Sequence, residues 1–74
     1  MITQIDLNAL LSLAENEIDL LPYFVKLELK RLGIPAIIDP MNIRDPDYAV
    51  ETGSLDYKID VDTMIMEIVY YAES

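Results

Sequence analysis

The sequence predicts an α+β fold, two N-terminal helices packed on a small antiparallel sheet of two or three strands, in one domain over residues 1–74. Three observations lead there. In the first third, apolar residues recur three and four apart, the spacing of one face of an α-helix. In the last third the period falls to two, the spacing of one face of a strand. Between them Gly33, Pro35, Pro40 and Pro46 punctuate the chain into turns and loop.

The first helical stripe is Leu7, Leu10, Leu11, Ala14, Ile18 and Leu21. Thr3 and Asp6 have the spacing of a capping box, with Asp in place of Glu, which sets the expected helix start near residue 4. Its end is open to two readings, because Glu15-Asn16-Glu17 is a polar interruption and Pro22 cannot donate to the carbonyl of Ile18. Either the chain turns near Asn16 or Asp19, or one helix runs on and kinks at Pro22. Two helices are preferred, since a proline in the first helical turn gives up an N–H that has no partner there. The second helix then covers 22–32, with Leu21, Val25, Leu29 and Leu32 as its inner stripe, widened by Phe24 and Leu27. Lys26 and Lys30 fall on its outer face. Lys30 and Arg31 complement the negative end of the helix dipole, Gly33 suits the position after the cap, and Pro35 prevents continuation.

Ile34 to Ile38 is too short for a helix and reads as a buried extended segment or edge strand. Residues 39–47, with two Asp-Pro steps, read as loop. Ala49 to Glu51 and Leu55 to Val61 read as two strands joined by Thr52-Gly53-Ser54. Leu55, Tyr57, Ile59 and Val61 alternate with Asp56, Lys58, Asp60 and Asp62, the pattern of a half-buried strand with a charged outer face. Thr63 to Tyr71 reads as a third strand. A helix capped by Asp62 competes, because Ile65, Ile68, Val69 and Ala72 also fit helical spacing. Strand is preferred because β-branched and aromatic side chains favour the pleated surface.

Charge and composition narrow the functions. Net charge is −9 and unevenly spread: residues 1–38 carry five acids against three bases, and residues 39–74 nine acids against Arg44 and Lys58. Direct nucleic-acid binding and anionic membrane surfaces are therefore not expected, and a basic protein surface is the natural complement. There is no cysteine and no histidine, which removes disulfides, thiolate chemistry, the commonest metal ligand and the usual general base. No run reaches the ~20 apolar residues of a membrane span, and MITQIDLN lacks the basic start of a secretory signal. A cytoplasmic location is expected, in the host cytoplasm for a viral chain. Chains of this size and acidity include small phage and viral accessory proteins, an association of size class and not a resemblance to a family.

Candidate chemistry is sparse. Asp60 and Asp62, with Glu67 five residues further on, have the D-x-D start of a calcium loop, but the following ligand position is Met64 and the glycine position is Ile65. A solvated strand face that blunts edge pairing explains them better. Ser12, Ser54 and Ser74 have no histidine to activate them, and Gly33 and Gly53 read as one helix cap and one turn and form no phosphate loop. Lys26, Lys30 and Arg31 read as dipole complementation and salt bridging, to Glu28 among others, ahead of a phosphate site. No enzyme activity, cofactor or metal is expected.

Protein binding remains. The hydrophobic share of 53% slightly exceeds the roughly 45–50% of ordinary domains. A chain this short hides only ~60% of its surface, so some apolar residues are expected in an interface, including one with a second copy. The candidate surface is the C-terminal sheet: Asp56, Tyr57, Asp60, Asp62, Met64, Met66, Glu67, Ile68, Tyr70 and Tyr71. Tyr70 and Tyr71 must point to opposite faces of a strand, Met64 and Met66 are expected on one face, and Ile65 and Glu67 on the other. The first expectation is an assembly or interaction subunit binding itself or a basic protein. The alternative is an acidic inhibitor that mimics nucleic acid through Asp45, Asp47, Glu51, Asp56, Asp60, Asp62 and Glu67.

Overall fold

Along the chain run strand β1 (Ile2–Asp6), helix α1 (Leu7–Leu13), a 3-10 turn (Ile18–Leu20), helix α2 (Leu21–Arg31), and strands β2 (Ser54–Asp60) and β3 (Ile65–Tyr71). The structure, a computed structural model, describes residues 1–73; Ser74 lies outside the described residues. The strands form one antiparallel sheet in the order β1-β3-β2. Two helices on a three-stranded antiparallel sheet make this a small α+β domain, as expected.

One strand of that sheet is not the expected one. Residues 2–6 are extended, paired with β3 from Ile2 opposite Val69 to Asp6 opposite Ile65, and helix α1 starts at Leu7 instead of near residue 4. Main-chain bonds extend the pairing at both ends: the Met1 ammonium donates to Tyr70 O at 2.7 Å and Leu7 N to Met64 O at 2.9 Å. The real cap is Asp6, whose Oδ1 accepts from Asn8 N at 3.0 Å and Ala9 N at 3.4 Å. Thr3, the expected cap, lies inside β1 opposite Ile68, one element before the helix starts. The stripe that begins at Leu7 holds through Ala14, with Leu7, Leu10 and Ala14 buried; Ile18 lies beyond it in the 3-10 turn, 66% exposed, and Leu21 opens α2.

Helix α1 ends where the polar interruption lies, with Glu15 and Asn16 both in the left-handed region at φ 55° and 62°. Asn16 N returns to Leu11 O at 2.8 Å, and the chain re-enters helix at Leu21 with Pro22 in the first turn. The preferred two-helix reading holds. Helix α2 closes in a Schellman motif: Gly33 N donates to Lys30 O at 3.0 Å and Ile34 N to Leu29 O at 2.9 Å, with Gly33 at φ 89°. Leu29 and Ile34, joined by that bond, both lie in the core.

The segment after α2 is extended, as expected, with Ile34 and Ala36 buried. It takes up Ala49–Glu51, which is not a sheet strand: Val50 makes only an isolated bridge to Ala36, flanked by Ile37 N to Ala49 O and Glu51 N to Pro35 O. Asp39 and Asp45 hold the intervening loop, their Oδ1 atoms accepting from Met41 N and Asp47 N. The expected hairpin through Thr52-Gly53-Ser54 is replaced by a bend over residues 51–53 that leads into β2, and the hairpin proper joins β2 to β3 through residues 61–64. There Asp60 Oδ1 accepts from Asp62 N at 3.0 Å, Val61 is exposed, and Met64 turns the chain at φ 56°. Residues 65–71 are strand, which settles the strand-or-helix choice.

The core gathers Ile5 from β1, Leu7 and Leu10 from α1, Val25 and Leu29 from α2, Ile34, Ala36 and Tyr48 from the connecting segment, and Met66 and Ile68 from β3. All helical and loop packing falls on one face of the sheet, in a molecule only 17 Å deep along its shortest axis. Lys26 departs from the expected outer face: it is 4% exposed. Its position on α2 borders the Val25–Leu29 stripe, so its aliphatic stem is packed in. Arg31 makes the expected pair, its Nε lying 3.0 and 3.1 Å from the two carboxylate oxygens of Glu28, and that guanidinium holds the Glu28 carboxyl below the usual range.

The two glycines differ in what surrounds them. A Cβ on Gly33 would meet open space, whereas one on Gly53, at φ 80°, would overlap the Tyr71 carbonyl oxygen and crowd Glu73 N and the Tyr70 ring. Gly33→Ala is expected to cost about 1 kcal/mol, from left-handed strain alone. Gly53→Ala adds backbone overlap and is expected to cost about 2–4 kcal/mol. Urea unfolding of both variants checks the order.

Candidate functional site

The register sorts the sheet residues into two faces. Thr3 and Ile5, Met66, Ile68 and Tyr70, and Leu55, Tyr57 and Ile59 point inward, toward the helices. Outward, three cross-strand rows stand beside one another: Ile2–Val69–Asp56, Gln4–Glu67–Lys58 and Asp6–Ile65–Asp60, with Tyr71 beside Ser54 at the end. Among the described residues no element covers this outer face. Ile2 is 73% exposed and Tyr71 59% exposed, with Ile65 and Val69 half-buried between them. Gln4, Lys58, Asp60, Thr63, Ile65 and Glu67 line a shallow depression of about 320 Å³ on it.

The expected contact residues divide accordingly. Asp56, Asp60, Glu67 and Tyr71 lie together on the open face, and Asp62 is exposed in the hairpin next to it. Met66 and Ile68 are 0% exposed and belong to the core, so a charge at Ile68 would unfold the domain before it tested any interface. Met64 does not share a strand face with Met66: it sits half-buried in the hairpin turn, outside β3. Tyr70 is half-buried on the inner face, its hydroxyl donating to Thr52 O at 3.2 Å, opposite in direction to Tyr71 as expected. Ile2, Ile65, Val69 and Lys58 were not picked out as contacts. The alternation of Ile65, Glu67, Val69 and Tyr71 carried the signal for two of them, while Ile2 was hidden by the helical reading of residues 4–6.

Among the described residues both outer strands have an unpaired edge. Met1 and Leu7 bond to β3, so strand alternation directs the main-chain groups of Ile2, Gln4 and Asp6 away from the sheet. The same parity turns the N–H and C=O of Leu55, Tyr57 and Ile59 outward along β2. Tyr57 and Ile59 are 48% and 41% exposed although they face inward, because α1 and α2 cover β3 and do not extend over the β2 edge.

Tyr57 instead meets Tyr48, edge to face, with ring centroids 5.1 Å apart. Burial pushes the Tyr48 phenol above the usual tyrosine range, and the neighbouring Tyr57 adds to the rise. Among the described residues no group of three or more His, Cys, Asp or Glu side chains is placed to hold a metal ion, and no helix is long and apolar enough to cross a membrane. Comparison with known protein families, curated proteins and solved structures finds no match for the chain.

The fold favours neutral Tyr48, so its contribution to stability is complete below the ordinary phenol pKa of about 10 and is lost as pH rises through the raised folded value. Urea midpoints are expected to fall across that alkaline window. Tyr48→Phe should remove part of the decline; an unchanged slope would show that Tyr48 does not carry it.

Proposed function

We propose that this protein is a non-catalytic interaction or assembly subunit that contacts another protein through its sheet. The observation that carries this reading is the uncovered outer face, where Ile2, Ile65, Val69 and Tyr71 stay in contact with water. Asp6, Asp56, Asp60 and Glu67 surround them. Aliphatic and aromatic anchors inside a charged rim are the composition of a binding patch, in which the anchors supply affinity and the rim orientation. The rim favours a partner with basic residues around an apolar centre. A domain this small, without cysteine, also gains stability from any partner that binds only its folded form.

Mimicry of nucleic acid draws on the same acids but is the weaker reading. Lys58 interrupts the outer face, and the carboxylates of Asp45 and Asp60 are engaged by turn amides.

Val69→Asp and Tyr71→Ala test the proposal. Both change the open face and leave the core intact. Captured partner protein is expected to survive high-salt washing with the native chain and to be lost at least about tenfold with either variant. A partner that elutes as salt rises, and binds both variants as well as the native chain, would overturn the sheet-face reading in favour of mimicry.

A further inference from the structure

We infer that two copies of this chain pair edge to edge through β2, antiparallel, with the two-fold axis at Tyr57. The inference rests on the reading of the sheet as the contact element and names the partner of one of its edges. No main-chain group of β2 is bonded on the side away from β3 among the described residues. The outward groups of Leu55, Tyr57 and Ile59 therefore ask for a strand, and the side chains decide which strand it is.

Set antiparallel about Tyr57, the seven residues of β2 overlap their whole length. Tyr57 then faces Tyr57 of the second copy, and Leu55 faces Ile59. These are the positions whose N–H and C=O point outward, so each forms a pair exchanging two main-chain hydrogen bonds. Asp56 faces Lys58 of the second copy and Lys58 faces Asp56, at the non-hydrogen-bonded positions where side chains approach most closely. Ser54 faces Asp60. The half-exposed Tyr57 and Ile59, which the helices leave uncovered, become covered by their counterparts.

Other registers fail on charge. With the axis one residue back, Asp56 opposes Asp56. With the axis one residue forward, Lys58 opposes Lys58 and Asp56 opposes Asp60. Larger shifts run the strand against the turns at its ends. Charges on an edge strand ordinarily prevent pairing altogether; on β2 their order favours the full-length register and opposes the registers shifted to either side. The β1 edge lacks this complementarity, since the same operation about Gln4 sets exposed Ile2 against Asp6. The product is a continuous six-stranded sheet that joins two open outer faces into one platform.

A charge swap provides the test, read by sedimentation velocity from micromolar to near-millimolar concentration, with circular dichroism confirming the fold. Asp56→Lys and Lys58→Asp each replace two attractive pairs by two repulsive ones, and each is expected to weaken the dimer at least about tenfold. The double variant D56K/K58D restores both pairs and is expected to dimerise like the native chain. Tyr57→Cys introduces the sole thiol and should form covalent dimers on mild oxidation, which Gln4→Cys should not. A monomeric native chain, or single and double variants that associate alike, would overturn the edge pairing. Salt-resistant capture lost on Val69→Asp would leave the sheet-face reading standing in that event. Rescue by the double variant together with salt-labile capture would instead uphold the dimer and remove that reading.

Discussion

Pairing of β3 on both of its edges is the constraint from which the remaining structure follows. Its main-chain groups are taken alternately by β1 and β2, and its inner side chains Met66 and Ile68 are completely buried. The strand comes last in sequence yet lies at the centre of the sheet. Its place there requires the first residues of the chain to meet the last, a closure seen in the bond from the Met1 ammonium to Tyr70. Both helices lie between β1 and β2 in sequence, so the excursion that carries them must lie over one face. The short loops bring α1 and α2 down onto that face, where Leu10, Val25 and Leu29 complete the core.

This economy produces the asymmetry between the two faces. The helices and the bridged segment around Ala36 and Val50 are used up covering the inner face. Among the described residues no element is left for the outer face, and the chain dresses it with alternating polar residues: Gln4, Asp6, Asp56, Lys58, Asp60 and Glu67. The same shortage leaves the inner side of β2 incompletely covered, with Tyr48 as its local support. Exposed apolar groups on this protein thus occur where two helices cannot reach, on the outer face and along the β2 edge.

The acidic character also has a structural share. Asp6, Asp39, Asp45 and Asp60 each accept a main-chain N–H two residues ahead, at the start of α1, within the loop and at the hairpin. Aspartate is suited to this because its short side chain reaches its own turn. Part of the net charge of −9 therefore reflects turn chemistry, while Asp56 and Glu67 on the outer face have no such bond among the described residues.

Local signals in the sequence determined the features that rest on neighbouring residues. The Leu7–Leu10–Ala14 stripe, the turn at Asn16, Pro22 opening α2, the Gly33 cap and the opposite directions of Tyr70 and Tyr71 were all legible, because each depends on spacing or backbone preference within a few positions. Along the candidate surface, Asp56, Asp60, Glu67 and Tyr71 were legible by the same alternation. Tertiary structure decided the rest. Residues 2–6 became a strand because β3 had an edge to fill, overriding a capping pattern at Thr3. Residues 49–51 bridge the segment around Ala36 instead of joining the sheet beside β2. Lys26 was drawn inward by the packing of α2. Met66 and Ile68 proved to be core because the helices dock on their side. Periodicity tells which residues share a face; only the partner across space determines which face is covered.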